Sequence, residues 1–131
     1  MTITHHELCF GCGLANLFGL QLELERDGED RVAGRFFVKQ DHQGPPGFAH
    51  GGVLATALDE AMALLVHDDG LRTLTKRLEV DFLAPAPIGA FAHVSAWVEE
   101  RGEQSVRLAA ELRSEGGDRP AARAIAEFAR L

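Results

Sequence analysis

Stabilising a developing negative charge needs free N–H donors, and proton transfer needs a carboxylate held away from bulk water; one stretch of this chain offers both. In GFAHGGVLATALDEAMALL (47–65), His50, Gly51 and Gly52 open an apolar run, and Asp59 stands nine residues after the histidine. Glycines at a helix start let backbone approach a ligand closely, and first-turn N–H groups that lack helical acceptors attract negative charge. A carboxylate in dry surroundings can serve as general base or nucleophile. The simpler alternative is a tight turn capped by His50, with Asp59 satisfied by local donors at a subunit contact.

The helix that must position these groups is apolar nearly all round. At about 100° per residue, Val53, Leu54, Ala57, Leu58, Ala61, Leu64 and Leu65 form one stripe. Asp59 points nearly opposite, yet its neighbours on that side are Ala55, Met62, Ala63 and Val66. Both faces are therefore expected to be covered, the second by another subunit or a ligand. Glu60, set among Thr56, Ala57, Ala63 and Leu64 with His67 two turns on, is expected at the rim with no catalytic part.

Around the helix the periodicity is that of strands. GLQLELE (19–25) alternates Leu20, Leu22 and Leu24 with polar residues, and RVAGRFFV follows across a DGED turn. Residues 74–83 place Leu74, Leu78, Val80 and Phe82 on one parity before stopping at APAP; 90–100 is apolar on both parities; 105–113 alternates through Val106, Leu108, Ala110 and Leu112. The last segment, PAARAIAEFARL, is ambiguous: its alanines favour helix, while Ala124, Ala126 and Phe128 fit a strand. This order predicts an α+β domain, an antiparallel sheet packed on a single long helix.

With 131 residues, 46% of them apolar, the chain can bury a core, and no stretch approaches the roughly 20 apolar residues of a membrane span. Its net charge of −7, with scattered Lys and Arg, argues against nucleic-acid or anionic-membrane partners. MTITHHELCF has neither the basic start nor the apolar run of a signal peptide, so a cytoplasmic, reducing location is expected. Cys9 and Cys12 form a CxxC that could be a disulfide, a redox pair, a metal half-site or two small buried residues. Two thiols are half of a tetrahedral site; His5, His6 or another subunit's pair would have to complete it, and the expectation is no metal.

On His50-Gly51-Gly52, Asp59 and the FLAPAPIG stretch (82–89), the chain resembles the hotdog-fold acyl-CoA thioesterases of the 4-hydroxybenzoyl-CoA thioesterase superfamily, in particular their phenylacetate-pathway-like branch. The resemblance covers residues 15–131 as a hotdog domain, preceded by a Cys-containing arm at 1–14. That arm opens CFGCGLANLFGLQL, similar to the CxxCGxxNPxGLxL of one subgroup, with Leu17 and Phe18 departing from its pattern.

The resemblance implies an antiparallel sheet wrapped around one long central helix, a homodimer that can pair into a tetramer, and active sites at the dimer interface. It makes the C-terminal segment the last strand. It also implies acyl-CoA as substrate and no cofactor. The thioester carbonyl would be polarised at the HGG turn, chiefly by the Gly51 N–H with His50 and Gly52 shaping the turn, and Asp59 would promote attack. One such donor is worth about 3 to 4 kcal/mol of barrier. Thr75, counted back from Pro85, falls where relatives carry a hydroxyl that positions water; the alternative is a β-branched residue filling a strand slot. Where some relatives have an Asn six residues before the His, this chain has Gly44. Coenzyme A phosphates would need a basic cluster, and Arg72, Lys76 and Arg77 are the densest one, although solvated strand-end charges look the same in sequence. The rival functions are a non-catalytic acyl-CoA-binding module and a redox or zinc protein centred on Cys9 and Cys12.

Overall fold

A computed structural model describes residues 1–131. Its elements are β1 (Glu23–Arg26), β2 (Arg31–Phe37), α1 (Gly51–Asp68), β3 (Thr73–Phe82), β4 (Phe91–Arg101), β5 (Ser105–Ser114) and β6 (Ala122–Arg130). The strands form one six-stranded sheet in the order β1-β2-β4-β5-β6-β3, antiparallel at every pairing. It packs on α1, the expected α+β arrangement of a sheet around one helix. No helix is long and apolar enough to cross a membrane.

Helix and sheet meet through alternating side chains. Val94, Ala96, Val106, Leu108, Ala110, Leu112, Ala124, Ala126 and Phe128 are buried, as are Leu54, Ala57, Leu58, Ala61, Leu64 and Leu65 of α1. Alanines on both sides of this contact let the backbones approach, and the leucines fill the space between. The alanine-rich C-terminus is a strand because β6 has a ladder on each side, with β5 and with β3. Two sets of backbone hydrogen bonds outweigh the modest helical preference of alanine.

Helix α1 is defined at both ends. His50 caps its start, and beyond its end the Leu71 N–H bonds the Val66 carbonyl at 3.1 Å across Gly70, whose φ of +82° suits glycine. Asp68 and Asp69 sit unfavourably at the negative end of the helix dipole. Arg26 offsets them by binding both, and Arg101 bridges Asp69 at 2.8 Å to Asp30 at 2.7 Å.

Three sequence expectations are corrected here. The strand expected at 19–25 begins only at Glu23; Leu20 and Leu22 are buried, but their N–H groups bond Phe10 and Gly11 carbonyls at 2.9 Å, and Gln21 takes a left-handed φ of +53°. The chain before β1 thus pairs with the arm, not the sheet. In β3 the register shifts between Thr75 and Arg77, so Thr75 pairs with Phe128 and Leu78 with Ala126. This bulge reverses parity: Leu74 faces outward, 63% exposed, instead of sharing the inner face with Leu78. Finally, Met62 and Val66 are fully buried within one chain, so no second subunit is needed to cover them. Ala55, Asp59 and Ala63 remain half-buried.

Candidate active site

The HGG turn is braced from both sides. His50 donates its N–H to the His42 carbonyl at 2.8 Å, and Ala49 donates to Ala86 at 2.8 Å. Gly44 packs directly beneath: a Cβ there would come within 2.8 Å of His50 Cα. The position that carries Asn in some relatives is therefore closed to any side chain here.

Four N–H groups open α1. The imidazole Nδ1 of His50 accepts the Gly52 N–H at 2.8 Å, and the His50 carbonyl accepts those of Val53 and Leu54 at 2.9 and 3.2 Å. The Gly51 N–H is left without an acceptor in the chain. It lies at the positive end of the helix beside the ring of Phe82, which would stand 3.5 Å from a Cβ at Gly51. The His50 side chain and carbonyl thus satisfy three of the four first-turn donors and leave that of Gly51 unpaired.

In the middle of α1, Asp59 meets Thr75. The Thr75 hydroxyl donates to Oδ1 of Asp59 at 2.8 Å. The β3 bulge is what turns Thr75 toward the helix. Burial raises the proton affinity of Asp59 above that of an ordinary aspartate, and the Thr75 bond opposes that rise. The result is a carboxylate with one oxygen held and the other free.

The neighbouring carboxylate is the residue sequence reasoning placed wrongly. Glu60 is buried, 8% exposed, not at the rim. The arm folds back over it: His5 Nδ1 lies 3.0 Å from Glu60 Oε2, and the Cys9 thiol donates to the same oxygen at 3.4 Å. The ion pair holds the Glu60 carboxyl below the usual range and lifts the His5 imidazole to about 9. A helical wheel cannot see a cover supplied from residues this remote in sequence.

The structure does not gather Arg72, Lys76 and Arg77 into one cationic patch. Arg77 pairs with Glu79 at 2.6 Å and Lys76 with Glu127 at 3.9 Å. Arg72 instead lines a cleft with Thr75, Leu74, Ala63, His67 and His5.

A sheet wrapped on one helix in this strand order is the hotdog fold, shared with solved thioesterase structures. The chain belongs to the thioesterase superfamily, whose family model matches residues 46–121, more than half of its length. The acyl-coenzyme A thioesterase THEM4 of Xenopus laevis is 33% identical over 90 residues, which are 68% of this chain and 40% of that protein. This chain therefore spans less than half the length of that relative. A hypothetical thioesterase protein from Streptococcus pneumoniae TIGR4, solved with coenzyme A, superposes with a TM-score of 0.78 at 20% identity, covering 84% of this chain and 85% of that one. The PaaI protein of the phenylacetic acid degradation operon of E. coli superposes with a TM-score of 0.77 at 21% identity, covering 84% and 83%.

Proposed function

We propose that this chain hydrolyses acyl-CoA thioesters to free acid and thiol, with Asp59 as general base and the Gly51 N–H as oxyanion donor. The observation that carries the reading is the Thr75–Asp59 hydrogen bond of 2.8 Å beside a half-buried carboxylate. With Oδ1 held, Oδ2 is free to accept a proton from water, and the Thr75 oxygen keeps lone pairs to accept from the same water. Water attacks the thioester carbon, the carbonyl electrons move onto oxygen at the Gly51 N–H, and collapse breaks the C–S bond. The proton taken by Asp59 then goes to the departing thiolate. Superfamily membership and likeness to the acyl-coenzyme A thioesterase THEM4 support this chemistry.

The two halves of the site belong to different copies of the chain. Gly51 and Asp59 are eight residues apart on one helix, so about 12 Å separates them along its axis. A reacting carbonyl cannot lie within about 3 Å of both. Pairing of two chains about a twofold axis can set Asp59 of each against the HGG turn of the other. Edge strand β3, with Leu74 and Phe82 63% and 56% exposed, supplies an apolar surface for that pairing. Arg72, in the cleft beside Thr75, is the basic residue we assign to the coenzyme A phosphates, with Lys76 and Arg77 committed to carboxylates.

A panel of acyl-CoA esters assayed for free thiol tests this function against its rival, an acyl-CoA-binding module. Turnover of at least one ester is expected. Saturable binding of these esters with no thiol release from any of them would establish the binding module instead.

A further inference from the structure

The arm and Glu60 form a second cluster of chemistry-bearing groups, separate from the Thr75–Asp59 pair. Each of His5, Cys9, Cys12 and Glu60 presents one ligand atom, and all four atoms lie within 4.8 Å of one another. We propose that these four residues are the ligands of a structural zinc ion that clamps the arm onto α1.

The geometry suits tetrahedral coordination. Bonds of about 2.0 Å to N and O and about 2.3 Å to S place ligand atoms about 3.3 to 3.8 Å apart at tetrahedral angles. The His5 Nδ1 is 3.0 Å from Glu60 Oε2, 3.6 Å from Cys9 Sγ and 3.7 Å from Cys12 Sγ, while Cys9 Sγ is 3.4 Å from Glu60 Oε2. These four separations need adjustments of only tenths of an ångström, and the two remaining pairs, Cys9–Cys12 and Cys12–Glu60, lie within 4.8 Å. Two sulfurs, an imidazole nitrogen and a carboxylate oxygen match a borderline-soft divalent ion and not magnesium or calcium, which take oxygen ligands. Four protein ligands close the shell, as in structural zinc sites and unlike catalytic ones.

The surroundings are also those of a built site. The His5 N–H donates to Cys12 Sγ at 3.2 Å, a backbone bond of the kind that stabilises a metal-bound thiolate. The His67 ring packs edge-on against His5, with centroids 4.7 Å apart, and fixes its orientation. Gly11, between the cysteines, touches Glu60 so closely that a Cβ would come within 2.5 Å of its Cγ and Cδ. Gly13 closes the loop, where a Cβ would lie 2.2 Å from the Glu7 carbonyl oxygen. Cys12 and Glu60 are buried while His5 and Cys9 are half-buried, so the ion has access from solvent. Coordination displaces the thiol protons of Cys9 and Cys12 and the Nδ1 proton of His5 into solvent, and the oxidation state of the metal does not change.

The test is metal content and cobalt spectroscopy on the whole chain, purified under reducing conditions. About one zinc ion per chain is expected, and after chelation Co²⁺ should restore near-ultraviolet sulfur-to-cobalt charge transfer with the intense visible bands of a tetrahedral centre. Glu60→Gln, which keeps the side-chain shape, should weaken metal binding at least about tenfold, and Cys9→Ser with Cys12→Ser should abolish the charge-transfer bands. Zinc well below one per chain with no saturable uptake, a cobalt spectrum without sulfur bands, or unchanged affinity in Glu60→Gln would each overturn the proposal. If the double cysteine variant fails to fold, the wild-type cobalt spectrum and Glu60→Gln decide alone. None of these readouts depends on thioester turnover, so their failure leaves the proposed hydrolysis standing.

Discussion

The Thr75 hydroxyl and Oδ1 of Asp59 are joined by a 2.8 Å hydrogen bond between the edge strand of the sheet and the middle of its central helix. It orients the carboxylate without neutralising it. Thr75→Val keeps the branched shape and removes the donor, so kcat for a thioester substrate should fall about tenfold, with Thr75→Ser restoring it. Steady-state kinetics on both variants check this, and equal turnover in the valine variant would reduce Thr75 to a packing residue.

Asp59→Asn retains the side-chain shape and removes the proposed base. Turnover should fall at least about a hundredfold while the melting temperature stays close to that of the wild type. Thiol-release assays beside thermal unfolding separate a chemical loss from a structural one. Wild-type turnover in this variant on every ester cleaved would remove Asp59 from the mechanism.

At Gly51 the backbone donor itself can be deleted. Gly51 is the first helical residue, where proline is well tolerated, and His50 at φ −64° and ψ 139° already has the conformation that precedes proline. Gly51→Pro should therefore fold normally but lose about 3 kcal/mol of transition-state stabilisation, roughly a hundredfold or more in kcat. Circular dichroism and kcat measured together test it; full activity would show that the oxyanion is held elsewhere.

Much of the fold is legible in the sequence, as is the spacing within the proposed site, and the departures share a cause. His50, Gly51, Gly52 and Asp59 stand within ten residues, so helical geometry alone relates them. Leu20 and Leu22 advertised burial, but their alternation did not say whether sheet or arm would take up their backbone bonds. The bulge that turns Leu74 out and Thr75 in has no marker in TLTKRL, because parity is lost only where the register with β6 is known. Glu60 looked like a rim residue because its partners His5 and Cys9 lie 55 and 51 residues away. Contacts at that range follow from the tertiary path of the arm, not from local periodicity.

The proposed pairing of chains rests on the distance between Gly51 and Asp59 and on the open apolar edge of β3. Sedimentation at micromolar concentration should give a dimer or a larger even assembly. Leu74→Lys places a charge on the exposed edge and should shift the population toward monomer with parallel loss of activity. A fully active monomer would contradict the shared site.

Mixing two inactive variants tests the central claim most directly. In a heterodimer of Asp59→Asn and Gly51→Pro chains, one site draws an intact Asp59 from one chain and an intact Gly51 from the other, while the second site carries both lesions. Random reassociation of equal amounts makes half of the dimers hybrid, each with one working site, so thioester hydrolysis should return to about a quarter of the wild-type rate. A reassociated mixture, verified to contain hybrid dimers, that is no more active than the two variants assayed separately would contradict a site built from Asp59 of one chain and the HGG turn of another.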